Sequence, residues 1–184
     1  MIEISQYFSP IGDILIASEE QKLVGVWLKD QPWPFALTKE ETQKNDKNPT
    51  ILQAKRWLDD YFSGKKPSIQ ELEFSFHGSA FQLEVWKILC EIPYGTTVTY
   101  HEIALQIAHK RNIKQMSAQA VGGAVGRNPI AIIIPCHRVV GAKGNLTGYA
   151  GGLDRKIKLL EIEGISFEHL YDPREKKRAQ KKKK

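Results

Sequence analysis

The stretch Asn128-Pro129-Ile130-Ala131-Ile132-Ile133-Ile134-Pro135-Cys136-His137-Arg138-Val139-Val140 sets a reactive residue directly behind an apolar run. Ile130 to Ile134 is almost wholly β-branched, which predicts a buried strand with Cys136 delivered at its end. A cysteine attacks through its thiolate, and a nearby His, Lys or Arg lowers a thiol pKa from about 8.5. His137 and Arg138 follow at once. Neighbours on an extended chain point to opposite sides, however, so adjacency alone does not couple them. A Cys-His pair by itself also describes a buried cysteine beside a structural histidine. Cys90, on the apolar run Phe81 to Ile92, is read in that structural way.

Upstream of this stretch the pattern is helical. Ser79 with Gln82 forms a capping box ahead of Phe81, Val85, Leu89 and Ile92, and Pro93-Tyr94-Gly95 forces a turn. Thr99 with Glu102 opens a second helix that buries Ile103, Ile107 and Ala104. After the polar turn His109 to Lys114, Ser117 caps a third, Ala118 to Val125. Two short helices joined by a turn resemble a helix-turn-helix. Gly122-Gly123 is costly there, at about 1 kcal/mol per glycine relative to alanine. Either a crowded helix crossing or close approach to a nucleic-acid backbone would compensate, and small residues more often serve packing.

Further out, Ile2 to Phe8, Ile14 to Ala17 and Leu23 to Leu28 read as strands joined by tight turns, and the polar residues 29–49 as a surface loop. A helix follows: Thr50 can cap it, Ile51, Ala54, Trp57, Leu58 and Tyr61 recur at helical spacing, and Gly64 can close it. Residues 1–75 thus form a small α+β unit without evident catalytic residues. The net charge of +6 is unevenly spread: residues 174–184 hold eight Lys/Arg and one Glu, leaving residues 1–173 at −1. Divided at Gly78, that remainder is −3 before and +2 after, so a nucleic-acid surface belongs to the second part.

No apolar stretch approaches the ~20 residues of a spanning helix. No basic-then-apolar leader opens the chain, so a soluble cytoplasmic protein is expected, with no membrane partner. Two cysteines and five scattered histidines give neither a disulfide framework nor zinc-site spacing, so no metal and no cofactor are expected. Asn145-Leu146-Thr147 fits a glycosylation sequon, which has no meaning without secretion.

The Asn128 to Val140 run, together with Gly148-Tyr149-Ala150-Gly151-Gly152-Leu153, resembles the O6-alkylguanine-DNA alkyltransferases. The likeness is strong over residues 79 to about 165; residues 1–75 match only in length and rough pattern. The resemblance implies an α+β fold: a small N-terminal α/β (ribonuclease H-like) domain over 1–77, then a mostly helical winged helix-turn-helix domain over 78–168. A disordered basic tail would occupy 169–184.

The resemblance further implies that Cys136 takes the alkyl group from guanine O6 in double-stranded DNA as a stable thioether, once and irreversibly. O4-alkylthymine is a possible second substrate. In that family the histidine matching His137 deprotonates the thiol through a water, oriented by a glutamate matching Glu163. Glu163 equally fits an exposed acid at a helix end before Gly164. Asn128 matches the asparagine tying the recognition helix to the active-site strand, and Tyr100 a tyrosine that contacts guanine and helps rotate the nucleotide out of the duplex. Without the likeness, Tyr100 would be half-buried packing. The carbonyl of Val139 and the amide near Ala150 would contact guanine, with Gly151 lining the pocket and Tyr149 packing there. Lys156 matches a lysine near the site, but fits a solvated helix face as well.

DNA contacts would come from Ser117, Gln119, Ala120, Gly122 and Gly123 in the minor groove, where small residues permit close approach, with Lys114 and Arg127 beside them. The Gly122-Gly123 reading accordingly moves toward DNA. Gln119 stands where many members place an arginine, and Ala150 where others have serine. A monomer is expected. The rivals are a non-catalytic binder of alkylated DNA, against which Cys136 argues, a Cys-His hydrolase and a helix-turn-helix regulator.

Overall fold

A computed structural model describes residues 1–31 and 41–175. The N-terminal strands are β1 (Ile2–Ser9), β2 (Gly12–Glu19) and β3 (Lys22–Leu28), two successive hairpins as the turn signals predict. A short β4 (Thr42–Lys44), inside the stretch read as loop, pairs parallel with β1, giving the sheet order β3-β2-β1-β4. Three polar residues carry no periodic signal, so β4 exists only because β1 offers an edge. Within 29–49, residues 32–40 lie outside the described ones.

Helix α1 (Pro49–Phe62) packs its stripe Ile51, Ala54, Trp57, Leu58 and Tyr61 inward. Its cap is Asn48 rather than Thr50: the Asn48 side chain accepts from Ile51 N at 2.9 Å, and Pro49 takes the first-turn position where a missing N–H costs nothing.

The second unit comprises α2 (Ala80–Cys90), β5 (Val98–Thr99), α3 (Tyr100–Lys110), α4 (Ala118–Val125), β6 (Val139–Val140) and α5 (Leu153–Ile162). Both predicted capping boxes form, at Ser79/Gln82 and Thr99/Glu102, and Ser117 caps α4. Trp86 Nε1 donates to Ala124 O at 2.9 Å, pinning α4 to α2. One apolar core runs through both units.

Ile130 to Ile134 is not a strand. It is a buried irregular turn, in which Ile134 N donates back to Ile130 O at 3.0 Å and Ile132 is held at φ 72°. A β-branched residue in the left-handed region is strained and persists only where its surroundings over-determine it. Here Asn128 supplies the backbone's partners, accepting from Ile130 N at 3.0 Å and donating to Ile134 O at 2.8 Å. Edge strand β3 clamps the start of the turn, Val26 N donating to Pro129 O and Ala131 N to Val26 O, both at 2.9 Å. The apolar run is thus fully buried as its composition predicts, but a side chain replaces the sheet ladder.

A tail beginning at 169 does not describe residues 169–175. Tyr171 N donates to Gly144 O at 2.9 Å and Leu146 N to Tyr171 O at 3.0 Å, while Arg174 reaches Asp172 and Asp154. These partners order a segment whose composition alone gives no structure. Residues 176–184 lie outside the described ones. No helix among the described residues is long and apolar enough to cross a membrane, and no group of three or more His, Cys, Asp or Glu among them could hold a metal ion.

Candidate active site

Pro135 ends the turn, and Cys136–Arg138 form a single 3-10 turn leading into β6. Cys136 therefore starts a helical turn rather than ending a strand, and it is 8% exposed. Burial raises the thiol pKa, against the opposing effects of an Asn128 hydrogen bond and the nearby Lys156 charge. Adjacency in sequence does not couple the three residues, as an extended-chain reading already warned: His137 and Arg138 do not hold Cys136 as a thiolate. Arg138 turns away, donating through Nη1 to Ile92 O at 2.6 Å and through Nε and Nη2 to Glu163 at 2.9 and 3.0 Å.

Glu163, at the C-terminal end of α5, is buried, which removes the reading of an exposed helix-end acid. Its Oε1 accepts from His137 Nε2 at 2.6 Å and from Tyr61 O–H at 2.8 Å, and its Oε2 from Gly95 N at 3.0 Å. Burial alone would raise its pKa. Hydrogen bonds from His137 and Arg138, with the Arg138 charge, win and hold it at about 2. Burial pushes the His137 pKa down, so the ring is neutral. Its Nε2 is committed to Glu163, and Nδ1 is buried without a protein partner. A carboxylate that takes Nε2–H leaves Nδ1 as the lone-pair nitrogen, which is the arrangement of a base.

Around the thiol stand Asn128, Tyr100, Tyr149 and Lys156. Tyr100, half-buried at the start of α3, lies 3.3 Å through its hydroxyl from the carbonyls of Thr147 and Gly148. Gly148 has φ +78°, and a Cβ there would sit 2.6 Å from that hydroxyl, so the loop requires glycine. Tyr149 has a buried hydroxyl without a hydrogen-bond partner, and its pKa lies well above the usual value because of burial and the Cys136 charge. Ala150 is exposed and Gly151 buried.

Lys156 is 0% exposed, not on a solvated face. Its Nζ donates to Val139 O at 2.5 Å and Thr147 O at 2.9 Å, and burial draws its pKa down to about 8. The Val139 carbonyl thus already has one protein partner, with a second lone pair left over.

The α4 residues form a separate surface. Ser117, Gln119, Ala120, Gly123, Lys114 and Arg127 are exposed and Gly122 half-exposed, while Val121, Ala124 and Val125 face the core. A Cβ on Gly122 would meet only the Tyr100 ring at 3.7 Å, and on Gly123 only the Arg127 guanidinium at 3.6 Å. Those are ordinary contacts, so no crowded helix crossing requires these glycines.

Two contributors went unread in the sequence. Tyr61 comes from the unit that showed no chemistry, and its position on an apolar helical stripe marks it only as core. Arg155 ties the glycine loop to the first unit: it donates to Ile11 O at 2.9 Å, Gly151 O at 3.2 Å and Asp30 at 2.9 Å. No local sequence pattern signals either contact.

Two family models match, the 6-O-methylguanine DNA methyltransferase ribonuclease-like domain over residues 4–82 and its DNA binding domain over 80–165. A methylated-DNA–protein-cysteine methyltransferase of Methanosarcina barkeri is 47% identical over 161 residues, covering 84% of this chain and 92% of that protein. One from Mycolicibacterium paratuberculosis is 43% identical, covering 89% and 93%. Among solved structures, Mycobacterium tuberculosis OGT in complex with DNA superposes with a TM-score of 0.74 at 40% identity, over 88% of this chain and 92% of that one.

Proposed function

The chain belongs to the 6-O-methylguanine DNA methyltransferase family and repairs DNA by alkyl transfer to a protein cysteine; on that premise we propose that Cys136 is the acceptor and His137 its base. One observation carries this reading: a buried thiol with a raised pKa adjoins a neutral His137 whose Nε2 is held by Glu163 and whose Nδ1 has no protein partner. A thiol kept protonated is inert until a base takes its proton, which protects a nucleophile that can be used once.

The substrate is O6-alkylguanine in double-stranded DNA. The thiol proton passes, through a water, to His137 Nδ1. The Cys136 sulfur then attacks the alkyl carbon, the carbon–O6 bond breaks and its electron pair stays with the base. The guanine takes up the proton, His137 returns to neutrality, and Cys136 is left as a thioether. A thioether is a stable bond, so each molecule acts once. Glu163 orients the imidazole, and Arg138 neutralises Glu163 so that the ring is not drawn into permanent protonation.

The target carbon is shielded inside the duplex, so the nucleotide is rotated out at a cost of a few kcal/mol. Tyr100, Tyr149, Ala150, Gly151, Lys156 and the Val139 carbonyl line the receiving pocket. The α4 face with Ser117, Gln119, Ala120, Gly122 and Gly123 lies against the minor groove, with Lys114 and Arg127 toward phosphates. A Cβ on either glycine would make only ordinary contacts, at 3.7 Å and 3.6 Å, which supports this placement, because close approach of another molecule accounts for them where internal crowding does not. The protein acts as a monomer.

The test is a stoichiometric mixture with an oligonucleotide containing O6-methylguanine, followed by peptide mass analysis. One methyl group on the Cys136 peptide is expected. An intact lesion with unmodified protein, or methyl at another residue, would refute the assignment.

A further inference from the structure

The last turn of α1 brings Tyr61 into the centre from the other unit. Its ring is fully buried, stacked on Trp57 and edged by Phe62, Tyr94 and His137. Its O–H donates to Glu163 Oε1 at 2.8 Å, the same oxygen that accepts from His137 Nε2 at 2.6 Å, and its oxygen lies 3.4 Å from that nitrogen. Burial and the Glu163 charge raise the phenol pKa, so it stays a neutral donor at every working pH.

We infer that Tyr61 is a positioning residue of the transfer centre: its hydroxyl fixes the Glu163 oxygen that takes the His137 Nε2 proton, and so keeps Nδ1 the basic nitrogen. The inference rests on the assignment of His137 as base to Cys136.

Glu163 Oε1 receives three donors, from Tyr61, His137 and Arg138 Nη2; Oε2 receives Gly95 N and Arg138 Nε. The charged and titratable groups facing His137 are Glu163 and Lys156 from α5, Arg138 and Cys136 from its own turn, and Tyr61 from α1, with Tyr94 against Tyr61 and Arg138. Arg138 and Lys156 disfavour an imidazolium and Glu163 favours one. Tyr61 is uncharged, yet its hydrogen bond absorbs part of the carboxylate's basicity. Without the hydroxyl, Glu163 presents more negative charge to the ring and protonated His137 becomes easier to form. That form cannot accept the thiol proton.

The test is Tyr61→Phe in the full chain, which keeps the ring and removes the donor. Single-turnover methyl transfer is followed from pH 4.5 to 9. The acid limb of the rate profile should move up by about half to one pH unit, with transfer slowed by up to about three- to tenfold at the foot of that limb and little changed above pH 8. Nitrogen-15 spectra of His137 without DNA should show Nε2–H alone in the parent chain, and in the variant a raised pKa with loss of that single tautomer. In a Glu163→Gln background, Tyr61→Phe should move neither reading further. Should Tyr61→Phe prove too unstable in thermal melts, Tyr61→Gln replaces it: a side chain that keeps an N–H donor should keep the His137 tautomer. An unmoved acid limb with an unchanged tautomer overturns the inference, as does equal slowing at every pH. A parent chain that transfers no methyl strikes the alkyl-transfer reading instead, while the nitrogen spectra still judge Tyr61.

Discussion

The Cys136 centre and the α4 face belong to the same unit and are built on opposite terms. Around Cys136 the residues are buried, titratable and tied to one another: Glu163 alone holds His137, Arg138, Tyr61 and Gly95 N. On α4 the outward residues are small or polar, exposed, and committed to little beyond helix caps. A centre that must hold a proton and a tautomer needs low dielectric and saturated partners. A surface proposed to approach a polyanion needs few bulky side chains and only enough charge to find it. Substitutions in the two regions should therefore fail differently, by chemistry and stability in the first and by salt-dependent affinity in the second.

The largest separation is expected from Cys136→Ala. Transfer should vanish in the mass assay while lesion binding in a gel-shift titration survives; loss of binding would mean the centre also anchors the DNA. Next, Glu163→Ala leaves the Arg138 guanidinium buried and unpaired, which should cost about 3–5 kcal/mol in urea unfolding. It should also slow transfer by about 10²–10⁴-fold, the range of a displaced general base. A loss of rate with stability intact would show that Arg138 finds another partner.

Acid separates the regions again. Glu163 titrates below its ordinary value in the folded state, so its stabilisation is complete above about pH 4.5 and lost as pH falls toward 2. His137 is also shifted down: the unfolded chain takes up its proton near pH 6.5 while the folded chain resists, so stability begins to fall below pH 6.5. Urea midpoints from pH 8 to 2 should drop in two stages, and His137→Gln should remove the first.

Smaller effects belong to the surface. Residues 176–184 carry seven Lys/Arg and no acid, and deleting them should weaken DNA binding severalfold and flatten its salt dependence. Cutting at 176 spares Arg174, which bonds Asp154 and Asp172. An unchanged slope would make the tail a bystander. Smallest of all, Gln119→Arg should steepen the logarithmic salt slope by up to about one and leave the pH profile of transfer unmoved. A shifted profile would join the two regions that the structure keeps apart.

Local periodicity made α1 legible, and capping made α2, α3 and α4 so, because a helix's face and ends are written in neighbouring residues. The same logic failed at Ile130 to Ile134. An apolar β-branched run states that the segment is buried, not that a ladder satisfies its backbone, and here Asn128 and β3 do so. Cys136, His137 and Asn128 were legible through a distinctive run. Glu163 and Lys156 stayed open between buried and exposed roles, since a single charge on a helix has no pattern. Tyr61 and Arg155 were not legible at all: their partners lie 102 and 144 residues away.

The sequence by itself determined the two-unit plan, the helical elements and the run that carries Cys136, all of which depend on residues close together in the chain. The tertiary structure decided the protonation states and the geometry: which charges are buried, that Arg138 serves Glu163 rather than Cys136, and that the first unit completes the second. Desolvation and hydrogen-bond partners set these, and both arise only when distant segments enclose the same small volume.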